Sequence, residues 1–149
     1  EDAYLMLRGL RTLPTRLERH GRSAVQIAEW LREQPEVNEV IHPALPDARG
    51  HELWARDYSG ACGLFGLVLQ PAPEKAVEAF LDALTLFGLG FSWGGHESLA
   101  IHCDPQRRTG AQLDDYGGPL IRLHVGLEDP GDLIDDLRRG LDAFASARG

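Results

Sequence analysis

Cysteine is scarce in this sequence: two in 149 residues, Cys62 and Cys103, with no C-x-x-C spacing. That is too few for a disulfide scaffold and points to a reducing, cytoplasmic setting. Lysine is scarcer still, present only as Lys75. No apolar run approaches the roughly 20 residues that a membrane span needs, and no signal-peptide pattern precedes the first helical segment. Basic charge also falls short: 15 Lys plus Arg stand against 23 Asp plus Glu, a net charge of −8. Nucleic acid and anionic membranes both require a basic footprint, so neither is an expected partner. A local positive site for a small carboxylate remains compatible with that balance. The opening Glu1-Asp2-Ala3-Tyr4 lacks an initiator Met and already lies in a helical pattern, so a piece of a longer chain is expected.

What is present describes one folded domain. Hydrophobic residues make up 43% and charged residues 26%, and a chain of 149 buries roughly 70% of its unfolded surface. Residues 1–33 carry apolar side chains at three- and four-residue spacing (Leu10, Leu13, Leu17, Ala24, Leu31) and predict a long helix that Pro14 kinks or splits. Val37 to His42 reads as a strand, His51 to Tyr58 as a short helix, and Cys62 to Leu69 as an apolar strand. Gly63 and Gly66 in that strand imply a close approach by another backbone. A helix opens at Pro71-Ala72-Pro73-Glu74 and runs to Phe87, with Gly88 as its cap. Leu89 to Trp93 and Ser98 to His102 read as strands around a Gly94-Gly95 bend, and Asp104 to Gly118 as a polar loop able to carry function.

Pro119 to Leu127 is the sharpest strand: Ile121, Leu123, Val125 and Leu127 alternate with Arg122 and His124. Asp129-Pro130-Gly131-Asp132 caps a last helix whose buried stripe is Leu133, Ile134, Leu137, Leu141 and Phe144. The order predicts an α+β sandwich, a small and largely antiparallel sheet with helices on one face.

Few residues carry a chemical signature. His96 and His102 are six apart on a strand-like segment, about 20 Å at 3.3 Å per residue, too far to share one ion. No metal site is expected. Cys62 and Cys103 read as small core hydrophobes, and Lys75 as a solvated first-turn residue unsuited to Schiff-base chemistry. Trp30, Trp54 and Trp93 read as core or edge packing. Arg122 is the strongest candidate, because a guanidinium on the polar side of a strand offers a planar fork for a carboxylate. Ser92-Trp93-Gly94-Gly95 could add a hydroxyl and backbone N–H groups to the same anion. On spacing alone, a surface ion pair explains Arg122 better.

Three segments shift that balance. Leu7-Arg8-Gly9-Leu10-Arg11-Thr12-Leu13-Pro14-Thr15-Arg16, Phe91-Ser92-Trp93-Gly94-Gly95-His96-Glu97-Ser98-Leu99 and Leu120-Ile121-Arg122-Leu123-His124-Val125-Gly126-Leu127-Glu128-Asp129 occur in this order. Together they resemble the C-terminal domain of the Cys/Met-metabolism, or trans-sulfuration, pyridoxal-phosphate enzymes. The Ser-Trp-Gly-Gly text and Phe91 before it are most similar to the cystathionine β-lyase branch, although His96 stands where that branch often has tyrosine.

The resemblance implies a single C-terminal domain over residues 1–149, made of a linker helix (1–33) and a sheet-plus-helices body (34–149). It implies that Arg122, Ser92 and Trp93 bind the substrate α-carboxylate, and that Glu97 and Ser98 are structural. It places pyridoxal 5′-phosphate, its lysine and the catalytic residues on a large N-terminal domain absent from this sequence, so the chain alone would be inactive. The implied reaction is β-elimination from cystathionine or a related thioether amino acid, giving thiol, pyruvate and ammonia. Implied partners are that substrate, the protein's own N-terminal domain and further copies in a homo-oligomer. A γ-acting relative, or a free-standing carboxylate-binding or oligomerisation module, is the alternative.

Overall fold

Alternating and 3.6-periodic apolar patterns build two layers, a sheet and the helices that cover one of its faces. The computed structural model describes residues 1–103 and 116–149. Among these the order is α1 (Asp2–Leu10), α2 (Leu13–Leu31), β1 (Val37–Ile41), α3 (His51–Asp57), β2 (Leu64–Leu69), α4 (Glu74–Asp82), β3 (Gly88–Leu89), β4 (Leu99–His102), β5 (Leu120–His124) and α5 (Pro130–Arg148). The strands form one sheet in the order β1-β2-β5-β4-β3. All pairings are antiparallel except β3 with β4. The expected α+β sandwich is therefore present, while most of the polar loop at 104–118 lies outside the described residues.

The predicted first helix is two helices. It breaks at Arg11-Thr12, and Pro14 falls in the first turn of α2, where its missing N–H has no intrahelical partner to lose. The Arg16 guanidinium spans the break, donating to the Gly9 carbonyl at 3.0 Å and to the Thr12 hydroxyl. Only the second half of α2 reaches the core, through Ala24, Ile27, Ala28 and Leu31. α1 buries no residue, and Leu10 is 58% exposed.

The covered face of the sheet is apolar throughout its centre. Phe65, Leu67 and Leu69 of β2, Ile121 and Leu123 of β5 and Ala100 of β4 pack with Phe80 of α4 and Leu133, Leu137, Leu141 and Phe144 of α5. Burying side chains of this size stabilises by roughly 1.5–3 kcal/mol each, which makes this layer the main source of stability.

Three sequence-based boundaries move, each for a physical reason. α4 stops at Asp82 rather than Phe87, and Gly88 opens β3 instead of capping a helix. The cause lies on α5: fully buried Asp136 accepts from the amides of Thr85 (2.8 Å), Leu86 (2.8 Å) and Phe87 (3.0 Å), and from the Thr85 hydroxyl (2.9 Å). Arg139 completes the cluster as its ion-pair partner. Burial alone would raise the Asp136 carboxyl, but the Phe87, Thr85 and Leu86 amides outweigh it, and the group titrates below its usual range. β5 ends at His124 rather than Leu127: Val125 N–H still donates in register to the Gly63 carbonyl at 2.7 Å, but Gly126 N–H is taken by the Ser98 hydroxyl (2.8 Å) and Leu127 N–H by the His96 carbonyl (2.8 Å). A Cβ on Gly63 would lie 2.2 Å from the Val125 carbonyl, the close backbone approach expected there; around Gly66 the neighbours are side chains. The third boundary, the end of β3, lies next to the carbonyls that Arg122 binds.

Candidate functional site

The pleat of β5 places Arg122 and His124 on the face of the sheet opposite Ile121 and Leu123. Arg122 sits in a cross-strand row between Gly66 of β2 and Ile101 of β4. The sequence suggests a polar face here, but its surroundings are largely apolar: Leu64, Leu99, Ile101 and Leu120 are half-buried and Val68 is buried. Arg122 is thus the charged centre of an apolar half-open surface.

Its side chain reaches past β4 to the segment that follows β3. The Nη2 group donates to the carbonyls of Phe91 (2.8 Å), Ser92 (3.2 Å) and Gly90 (3.3 Å). The strand predicted at 89–93 is observed only as Gly88–Leu89, and the carbonyls that follow it turn to Arg122. The donors and acceptors around the guanidinium do not balance. Nη2 has two hydrogens for three carbonyls, while Nε is buried with no partner. Leaving a buried donor unmet costs about 1–3 kcal/mol, so an added anionic acceptor would be stabilised here.

His124, two residues along, holds the other end of the same bend. The Gly94 N–H donates to His124 Nε2 at 3.0 Å, and the same Nε2 lies 3.4 Å from the Gly95 carbonyl. Gly94 has φ +81°, a left-handed conformation that favours glycine. Beneath the bend the His124 ring meets His20 of α2 edge-on, with centroids 5.4 Å apart. Both imidazoles are buried and titrate below their ordinary value. Burial is the main cause for both; the other ring adds to it for His20, and the Arg122 charge adds to it for His124.

The remainder of the His96-Glu97-Ser98 motif is docked from the far side. Glu128 accepts from Ser98 N–H and Ser98 Oγ–H, both at 2.8 Å, and Ser98 Oγ accepts from Gly126 N–H at 2.8 Å. Ser98 is a buried clasp, as expected. Ser92 and Trp93 lie on the exposed stretch, with Trp93 64% exposed. The structure therefore brings Arg122 to the backbone of Ser92, with Trp93 next to it in the chain. The expectation that Trp93 packs in a core or edge is corrected.

Other candidates separate from this cluster. His96 is exposed and pairs with Glu97 at 3.8 Å, while His102 ends β4. No group of three His, Cys, Asp or Glu gathers to hold a metal among the described residues. Cys62 is exposed, just outside β2, rather than in the core, and no disulfide joins it to Cys103. Lys75 is exposed in the first turn of α4, in the layer on the covered face, across the sheet from Arg122. Trp30 is half-buried with the Arg138 guanidinium over its ring at 5.3 Å, and Trp54 helps to line a groove of about 830 Å³ with Leu13, Leu17, Val25 and Ala61. No helix among the described residues is long and apolar enough to cross a membrane.

Sequence reasoning overlooked His124, Glu128 and Asp136. Alternation did put His124 beside Arg122, but only the fold reveals that its ring nitrogen meets Gly94.

Comparison with known proteins adds a family. The model described as "Cys/Met metabolism PLP-dependent enzyme" matches residues 1–142. Cystathionine beta-lyase MetC of Escherichia coli is 46% identical over 94% of this chain and 36% of its own length. Cystathionine beta-lyase of Bordetella avium is 47% identical over 97% of this chain and 37% of its own. A crystal structure of cystathionine gamma synthase from Xanthomonas oryzae in complex with cystathionine superposes with a TM-score of 0.88 at 39% identity. It covers 98% of this chain and 39% of that one. The chain therefore spans less than two fifths of the relatives it matches.

Proposed function

The chain belongs to the Cys/Met-metabolism PLP-dependent enzymes, and from that premise we propose that it is the C-terminal, substrate-orienting domain of a carbon–sulfur lyase. The whole protein would cleave cystathionine or a related thioether amino acid by β-elimination, releasing thiol, pyruvate and ammonia. The observation that carries this reading is the unbalanced guanidinium of Arg122, with its unmet buried Nε, at the edge of an exposed Ser92-Trp93 segment.

In this reading Arg122 binds the α-carboxylate of the amino acid. Its charge meets the carboxylate charge on a surface of low local polarity, where the attraction is screened less than in water. The carbonyls of residues 90–92 fix the plane of the fork. Ser92 and the Trp93 backbone add donors, and the exposed indole forms one wall of the site. Holding the carboxylate sets the orientation of the reacting bonds, a contribution to rate that needs no chemistry from this chain.

The residues present do not fit covalent attachment of pyridoxal phosphate. Lys75 is exposed on a layer across the sheet from Arg122, so the cofactor belongs to the remainder of the protein. We therefore assign no catalytic residue to this chain and expect it to be inactive alone. A cytoplasmic homo-oligomer acting in methionine biosynthesis fits the same reading. The half-open sheet face and the uncovered α1 would be closed by the remaining domain and by further copies.

The test is product analysis on the full-length enzyme. With cystathionine, β-elimination gives pyruvate and homocysteine, whereas γ-elimination gives 2-oxobutyrate and cysteine. Arg122→Gln should raise KM for cystathionine by about 100-fold, the value of a charge-assisted pair. An unchanged KM would remove the carboxylate assignment, and 2-oxobutyrate as the product would move the protein to the γ-acting branch.

A further inference from the structure

Two adjacent side chains on one face of β5 grip the same five-residue stretch, 90–94, at different atoms. Arg122 takes its carbonyls at positions 90–92, and His124 takes its amide at Gly94. The segment has no other regular structure: residues 91–97 are exposed and follow the two-residue β3. A left-handed glycine is flexible in isolation, so Gly94 holds its conformation only if something fixes it. The Nε2 lone pair of His124 is the fixture. His20 then acts as a stop behind the ring, its own ring edge-on to His124 and 1% exposed. A neutral His124 accepts the Gly94 N–H; the protonated ring would lose that acceptor and turn its Nε2–H to the Gly95 carbonyl, 3.4 Å away.

We infer that His124 is a positioning residue: its neutral Nε2 holds the Gly94 amide and so fixes the Ser92–Gly95 bend beside Arg122, with His20 buttressing the ring. It touches no reacting atom. Its influence on substrate affinity rests on the carboxylate reading of Arg122, whereas its hold on the bend does not.

Hydrogen–deuterium exchange on the full-length enzyme without substrate reads the bend directly. His124→Leu removes the acceptor at similar volume, and His124→Gln restores one, because the glutamine carbonyl reaches where Nε2 stood. Amide exchange in the peptide covering 90–97 should rise at least tenfold in H124L and return to within threefold of the native rate in H124Q. Peptides of α4 and α5 should be unchanged. KM for cystathionine should follow the same order, rising about tenfold in H124L and recovering in H124Q, while kcat stays within threefold. Should H124L not fold, His124→Met replaces it, since a thioether is a flexible filler and a weak acceptor. Unchanged exchange over 90–97 overturns the assignment. So does acceleration spread equally over α4 and α5, or an H124Q that exchanges as fast as H124L. If exchange behaves as expected but neither H124L nor R122Q alters KM, the carboxylate reading fails and the hold on the bend stands.

Discussion

The two faces of the sheet are made of neighbouring residues and obey different rules. On the covered face, Ile121, Leu123, Phe65 and Leu67 meet α4 and α5 in close packing; Asp136 is fully satisfied there, while the buried His42 ring against Phe65 keeps one unmet nitrogen. On the other face, Arg122 stands among half-buried apolar side chains with one donor unmet, and two buried histidines lie against each other. The first face is closed by helices, and the second is left open around a guanidinium. Stability is expected to reside on one side and recognition on the other.

Neighbouring truncations give the largest test of that contrast. Ile121→Ala should cost about 2–5 kcal/mol in urea unfolding, whereas Leu120→Ala, half-buried on the opposite face, should cost below about 1.5 kcal/mol. Equal costs would mean that the open face is as much core as the covered one. Asp136→Asn comes next, at about 1.5–3 kcal/mol, because the amide keeps the shape but loses the charge and presents N–H to N–H. Full stability of that variant in the same unfolding assay would show that the turn at 83–87 forms without the carboxylate.

Acid should then act in two pH windows. In the folded chain His20, His42 and His124 titrate below their usual 6.5, burial being the main cause for each. Between that folded value and 6.5 the unfolded chain therefore binds more protons. Stability rises with pH across this window and is lost as pH falls below 6.5, by at most about 1.4 kcal/mol per pH unit for each histidine. Asp136 has the opposite charge type and a lower window: its contribution is present above the usual 3.8 and is lost as pH falls through its depressed folded value. Exchange measured against pH should show the segment at 90–97 loosening first and the Asp136 turn much later. The smallest effect expected is at Lys75. Adding pyridoxal phosphate to this chain should give no stoichiometric chromophore in absorbance spectra, and Lys75→Arg should shift stability by less than about 0.5 kcal/mol.

Much of the architecture can be read from local pattern. The alternation in β5, the capping run at Asp129 and the three family segments led to the fold, to Arg122 and to the bend at 92–95. The errors share one origin, long-range capture of backbone groups by side chains. Asp136 binds the amides after α4 from some fifty residues away, and Arg122 binds the carbonyls that follow β3 from about thirty away. No window of sequence contains both partners. Trp93 and Cys62 misled for a related reason: residue type suggests burial, but only the assembled chain decides what covers a side chain. His124 was placed on the correct face and still overlooked, because its partner is a backbone amide, which carries no residue identity.

The two-residue period of β5 also bears on how this domain can vary. Substitutions can tune the core and the open face separately, since odd positions serve one and even positions the other. An insertion or deletion of a single residue within the strand has no such freedom. It would send the guanidinium into the packed layer and the core side chains onto the open face, so the open face would be lost together with the fold. Lineages that changed their ligand by altering this surface would therefore differ by point replacements along β5, while length changes would gather in the loops on either side of it.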